Sequence, residues 1–202
     1  FVPEHVSAVL GDNSVAEELT ALPFDKIFFT GSPAVGRKVL RAASENLVPV
    51  TLELGGKSPV IVAADADSPL AARRIIWGKF VNAGQTCVAP DYVLVNKKIQ
   101  NALLESMRKE VIRQYGDDPV HNPDLTGIIN DRHFQRLSAM MRNGTVICGA
   151  QADEKTRKIA PTILSEVSED YPLNPDEIFG LILSVHPFCA MAYALPIACT
   201  TH

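Results

Sequence analysis

Over the first half of the chain, short apolar runs bounded by Gly, Asp and Pro alternate with segments of helical spacing. This alternation restricts the fold more than any other feature. Residues 6–10, 26–30 and 48–54 read as short buried strands, because apolar runs of this length suit parallel strands covered on both faces. Between them, residues 14–22 are predicted helical. Ser32 is predicted to cap a second helix with Pro33 at its first position, after which Val35, Val39, Leu40 and Ala43 recur at helical spacing. Three strands separated by two helices make the back half of a doubly wound parallel sheet of the α/β class, a nucleotide-binding architecture whose opening strands are missing.

The pattern continues with a strand over residues 59–63 and a helix capped by Asp67 or Ser68 with Pro69 in its first turn. That helix delivers Phe80-Val81-Asn82 to a loop around Cys87, and its Trp77 is expected in the core. A strand over 92–96 leads into a long amphipathic helix over 99–115. Leu103, Met107, Val111 and Tyr115 share one face of it, and Gly116 lies just past its end. A helix over 133–142, a turn at Asn143-Gly144 and a strand over 145–148 follow.

Of the 202 residues, 47% are hydrophobic and 21% charged, enough apolar matter for a sizeable core. The net charge is −4, and no Lys/Arg run exceeds two residues, so nucleic acid is not an expected partner. The four cysteines show neither C-x-x-C nor zinc-site spacing, which points to free thiols in the reducing cytoplasm and to no metal. The first residues carry no targeting pattern and read as an internal cut. The apolar stretch 188–199 falls short of the roughly 20 residues that span a bilayer and is not read as a membrane anchor.

Two Gly-rich segments carry reactive side chains. Cys87 lies in Phe80-Val81-Asn82-Ala83-Gly84-Gln85-Thr86-Cys87-Val88-Ala89-Pro90. A lone free Cys is most often a buried structural thiol. A small-residue loop instead lets a substrate approach and lets backbone N–H groups face an oxyanion, which suits a nucleophile. Glu53 lies in Thr51-Leu52-Glu53-Leu54-Gly55-Gly56-Lys57-Ser58-Pro59. It is either a solvated strand-edge acid or, where partial burial raises its pKa, a general base. Lys57 reads as a solvated turn lysine. Gly31-Ser32-Pro33-Ala34-Val35-Gly36 is either a capped helix start or a turn that holds a phosphate at the helix N-terminus.

Together the Cys87 and Glu53 segments resemble the two active-site signatures of the NAD(P)-dependent aldehyde dehydrogenases. Cys87-Val88-Ala89-Pro90-Asp91-Tyr92 is more similar to the class 3 branch of fatty, aromatic and coniferyl aldehyde dehydrogenases than to classes 1 and 2. A third family motif is met in Pro175-Asp176-Glu177-Ile178-Phe179-Gly180, followed by Leu181 where the family has Pro. The resemblance runs from about residue 6 to about residue 185. It implies an incomplete Rossmann-like NAD domain over 1–55 and part of the catalytic domain over 56–185. The stretch 186–202 departs from the family pattern and reads as a frameshift or premature end.

The resemblance also implies roles. Cys87 would be the nucleophile that forms a thiohemiacetal and then a thioester, and Glu53 the base that activates water to hydrolyse it. Gly31, Ser32 and Gly36 would hold the pyrophosphate of NAD or NADP. The backbone of Leu54 and Gly55 would lie beside the nicotinamide, with Glu177 and Phe179 at its ribose and ring; a surface acid and a core aromatic are the plainer reading of that pair. A small aldehyde is the implied substrate, and full-length relatives are homodimers. The family's oxyanion-binding Asn and adenosine-ribose Lys fall upstream of Phe1, so oxidation is expected to be impaired in this fragment. One alternative is a non-catalytic fragment that associates with a full-length homologue through an exposed sheet edge. Another is a cofactor-free thiol hydrolase.

Overall fold

The computed structural model describes residues 2, 4–167 and 176–200, the last by its backbone alone. The chain forms two compact units, Phe1–Gly55 and Gly56–His202.

The first unit holds α1 (Asn13–Thr20), β1 (Ile27–Thr30), α2 (Pro33–Ser44) and β2 (Val50–Glu53). Each helix begins on a side-chain cap that satisfies otherwise orphaned N–H groups. The Asp12 carboxylate accepts from the Ser14 and Val15 amides at 2.9 and 3.4 Å, and the Ser32 hydroxyl accepts from the Val35 amide at 3.3 Å. β1 and β2 run parallel, from Ile27 opposite Val50 to Thr30 opposite Glu53. β1 is covered on one face only, with Phe28 66% exposed. The strand expected over residues 6–10 does not form, and Val6, Val9 and Leu10 are exposed. Apolar composition suits a strand but cannot make one without a neighbour to take its backbone hydrogen bonds.

The second unit contains β3 (Pro59–Val62), α3 (Ser68–Phe80), β4 (Tyr92–Asn96), α4 (Gln100–Tyr115), α5 (Asp131–Met140) and β5 (Thr145–Cys148). A small antiparallel hairpin, β6 (Ala152–Asp153) with β7 (Lys158–Ile159), precedes β8 (Thr162–Ser165), β9 (Ile182–Phe188) and α6 (Met191–Thr200). The main sheet has the order β3-β4-β9-β8-β5, parallel except where β5 meets β8. Alternation along β4 divides its side chains between two layers. Val93 and Val95 join the large core, with Ile76, Phe80, Leu103 and Met107 from α3 and α4. Tyr92 and Leu94 join a smaller cluster on the other side, with Phe188 and Ala194.

That smaller cluster revises the expected boundary at residues 185/186. β9 runs through it, with His186, Pro187 and Phe188 opposite Leu94, Val95 and Asn96, and Ala194 of α6 is fully buried. Pro187 is tolerated because β8 pairs only with Ile182–Ser184, so beyond that point no ladder needs the missing N–H. Trp77 is 65% exposed rather than in the core. Ala72, Ile75, Ile76, Lys79 and Phe80 form the inward stripe of α3, and helical periodicity turns position 77 outward. It lines an open surface groove with Arg73, Arg74 and Arg113. No helix among the described residues is long and apolar enough to cross a membrane.

Candidate active site

In the first unit the expected residues gather at the carboxyl ends of β1 and β2, where open α/β sheets bind ligands. The Gly31 amide donates to the Glu53 carbonyl at 3.0 Å, continuing the ladder past Thr30. α2 then starts with Ser32 as its cap. Gly36, buried on the inner side of α2, leaves room for Leu54: a Cβ there would lie 2.9 Å from Leu54 Cδ2. The Glu53 side chain is exposed rather than partly buried, and Gly55 is exposed beyond it. The Gly-rich signature spans the junction between the two units, so Gly55 closes one and Gly56 opens the next.

Cys87 is exposed in the second unit, on a loop that leaves α3 through an unusual turn. Asn82, Ala83 and Gly84 take φ of 52°, 56° and 70°, three successive left-handed residues of which two carry a Cβ. Such strain persists only where surroundings over-determine it. Here the Asn82 side chain donates to the Gln85 carbonyl at 3.1 Å. The Gln85 amide in turn accepts from the Ile129 N–H at 2.9 Å and donates to the Gly127 carbonyl at 3.4 Å. A methyl group at Gly84 would collide with the carbonyl oxygen of Gly180. The loop before Cys87 therefore lies directly on the third motif.

Cys148 is a different thiol. It lies on β5, and burial pushes its pKa up to about 11.

Behind the Cys87 loop lies a group of buried charges that sequence patterning missed. Lys57 is 5% exposed, not solvated; its ammonium donates to Asp91 at 2.5 Å and to the Asp176 carbonyl at 3.3 Å, and stands 5.7 Å from the centre of the Tyr92 ring. The other Asp91 oxygen accepts from the Ile178 amide at 2.8 Å. Lys79, on the last turn of α3, is 1% exposed. Burial lowers its pKa to about 8, the nearby Lys57 charge adding to the effect while Asp91 and Glu177 oppose it. Glu177 is half-buried; desolvation raises its pKa, against the hydrogen bond it accepts from the Gly56 amide. Phe179 is half-buried with φ 46°. Leu181 is buried, and its carbonyl accepts from the Thr162 amide at 2.8 Å. Pro175 of the third motif lies outside the described residues.

The second unit thus brings together Cys87, Gly56, Glu177 and Phe179, while Glu53, Leu54, Gly31, Ser32 and Gly36 assemble in the first. The one hint of the buried charges in the sequence was the place of Lys57 inside a signature and of Asp91 just after the other.

Known proteins resemble this chain in sequence and in fold. The human aldehyde dehydrogenase family 3 member B1 is 49% identical over 179 residues, covering 89% of this chain and 38% of that protein. The rat enzyme named aldehyde dehydrogenase, dimeric NADP-preferring, is 49% identical over 168 residues, covering 83% of this chain and 37% of that protein. The substrate-bound structure of Staphylococcus aureus AldH superposes with a TM-score of 0.91 at 41% identity, over 97% of this chain and 43% of that one. The chain therefore spans about two fifths of the length of these relatives. The sequence profile of the aldehyde dehydrogenase family matches residues 2–202, across both units and through β9 and α6. With both signatures, the sheet order and this match in agreement, the chain belongs to the aldehyde dehydrogenase family.

Proposed function

We propose that this chain carries the thiol and the water-activating base of an NAD- or NADP-dependent aldehyde dehydrogenase that converts a small fatty or aromatic aldehyde to its acid. The observation that carries the reading is Cys87 itself, exposed on a strained loop whose sequence matches the family's nucleophile signature. Its sulfur attacks the aldehyde carbon, forming a C–S bond and a thiohemiacetal. Loss of hydride from that carbon, to the acceptor the cofactor would supply, and of the proton from its oxygen leaves a thioester on Cys87. Glu53 takes a proton from water, which adds to the thioester carbon and releases the acid while the C–S bond breaks and the thiol is restored.

The Gly31–Gly36 turn fits a dinucleotide pyrophosphate. The twelve-residue α2 points its N-terminus at the turn, and Ser32 keeps its own hydroxyl proton to donate after accepting from Val35. Bound there, the cofactor supplies the hydride acceptor. Glu177 and Phe179 would meet its ribose and nicotinamide ring. A homodimer is the proposed assembly of the whole protein.

The test is nicotinamide reduction by the purified chain with aliphatic and aromatic aldehydes. Cys87→Ala is expected to abolish it. In a full-length protein with the upstream residues restored, Glu53→Gln is expected to keep a first burst of about one equivalent and slow only later turnovers. Reduction that persists without Cys87 refutes the assignment. A second reading, a non-catalytic fragment that docks on a full-length homologue, draws on the exposed Phe28 face of β1. Silence in the assay together with co-purification of such a homologue would favour it.

A further inference from the structure

The backbone of Asp176, Glu177 and Ile178 is held at four polar atoms by three charged side chains from elsewhere in the second unit. Lys57 donates to the Asp176 carbonyl at 3.3 Å. Arg136, from α5, donates to the Glu177 carbonyl at 3.2 Å and the Ile178 carbonyl at 2.5 Å. Asp91 accepts from the Ile178 amide at 2.8 Å and is itself fixed by Lys57 at 2.5 Å. These three come from three distant segments: the Gly-rich turn, the end of the Cys87 loop, and α5. What they hold is strained, since Phe179 follows at φ 46° with a bulky side chain.

We propose that Lys57, Asp91 and Arg136 form an electrostatic clamp whose task is to position Glu177 and Phe179 against the Cys87 loop. Asp91 is its central positioning residue. Buried, charge-assisted hydrogen bonds are the strong ones, and a carboxylate shared between an ammonium and an amide ties both partners to one place. The clamp also explains the buried Lys57–Asp91 pair. A pair taken out of water adds little to stability alone and is retained where it fixes a conformation. That Glu177 and Phe179 face a cofactor rests on the function proposed above; that the clamp holds their backbone does not.

The test is native-state hydrogen exchange on the whole chain, resolved to the Ile178 amide, for the parent, Asp91→Ala, Asp91→Asn and Arg136→Gln. Asp91→Ala is expected to speed exchange at Ile178 about tenfold or more while the β4 and β9 amides keep their rates. Asp91→Asn keeps an oxygen that can accept from Ile178, so this variant is expected to recover part of the protection. Arg136→Gln removes the contacts to the Glu177 and Ile178 carbonyls and leaves the Lys57–Asp91 pair in place, which keeps the test valid if Asp91→Ala fails to fold; it too is expected to loosen residues 176–179 selectively. Unchanged exchange at Ile178, or a uniform rise across the sheet, overturns the proposal. An absence of aldehyde oxidation leaves this outcome untouched.

Discussion

Lys79 offers a quantitative prediction about stability. Replacing it with Met keeps a long, flexible, apolar side chain on the inward stripe of α3 and removes one buried charge. The native state holds the Lys79 proton at a pKa of about 8 against an ordinary value of 10.5, a difference of about 3 kcal/mol. Because the folded pKa is the lower one, the unfolded chain binds more protons between pH 8 and 10.5. Parent stability therefore rises with pH across that window as the penalty for burying the ammonium disappears. Lys79→Met is expected to be more stable than the parent by about 3 kcal/mol at pH 7 and by less than about 1 kcal/mol at pH 10.5. With a urea slope of about 2 kcal/mol/M, the midpoint should move up by about 1.5 M at pH 7. Trp77 is the chain's single tryptophan and lies in the same unit, so its fluorescence reports on the right transition. A midpoint difference that does not change with pH refutes the reasoning. A variant less stable at pH 7 would show that attraction to Asp91 and Glu177 outweighs burial.

Limiting iodoacetamide at pH 8 followed by peptide mapping should label Cys87 first and Cys148 last; a thiol held near 11 should react about a hundredfold more slowly than in the unfolded chain. Labelling of Cys148 ahead of Cys87 in the folded chain counts against the nucleophile assignment. Gly84→Ala forces a Cβ into the Gly180 carbonyl at positive φ, and a loss of roughly 2–4 kcal/mol is expected in urea unfolding. Gly116→Ala meets nothing within 4 Å but stands at φ 81° and ψ −176°, a backbone region essentially confined to glycine, and is expected to cost roughly 1–3 kcal/mol from strain alone. No loss on Gly84→Ala would show that the contact with Gly180 is unimportant.

Local signals were legible wherever the determinant lies a few residues away. Ser32 with Pro33, Asp67 with Pro69, and Gly116 after Tyr115 each mark a helix end by chemistry that the structure repeats. The hydrophobic stripe of α4 read correctly because its period needs no knowledge of partners. What failed depends on distant groups. Residues 6–10 lack a strand neighbour, and the burial of Lys57 depends on Asp91, 34 positions on. β9 escaped notice because a polar Ser184 and a Pro187 interrupt its apolar run, and the proline is acceptable only because the ladder with β8 stops at Ser184. In the candidate site, Cys87, Glu53 and the Gly31 turn stood out from their flanking glycines, whereas the clamp joins residues that share no local pattern.

The position of β9 between β4 and β8 has a kinetic consequence. It is synthesised after the other four strands of its sheet, yet it joins β3-β4 to β8-β5. Asn96 ends β4 and Ile182 begins β9, so at the usual pace of 5–20 residues per second the inner edge of β4 waits on the order of 4–17 s on the ribosome. In the last part of that interval, once β8 is complete at Ser165, two half-sheets can exist with apolar, unpaired edges turned toward each other's missing partner. Closure of the sheet is then a long-range event, slow by the same loop entropy that favours α3 and α4 forming early. The nascent chain is expected to need shielding at this stage, and a pulse of refolding from denaturant should show β9 protected last.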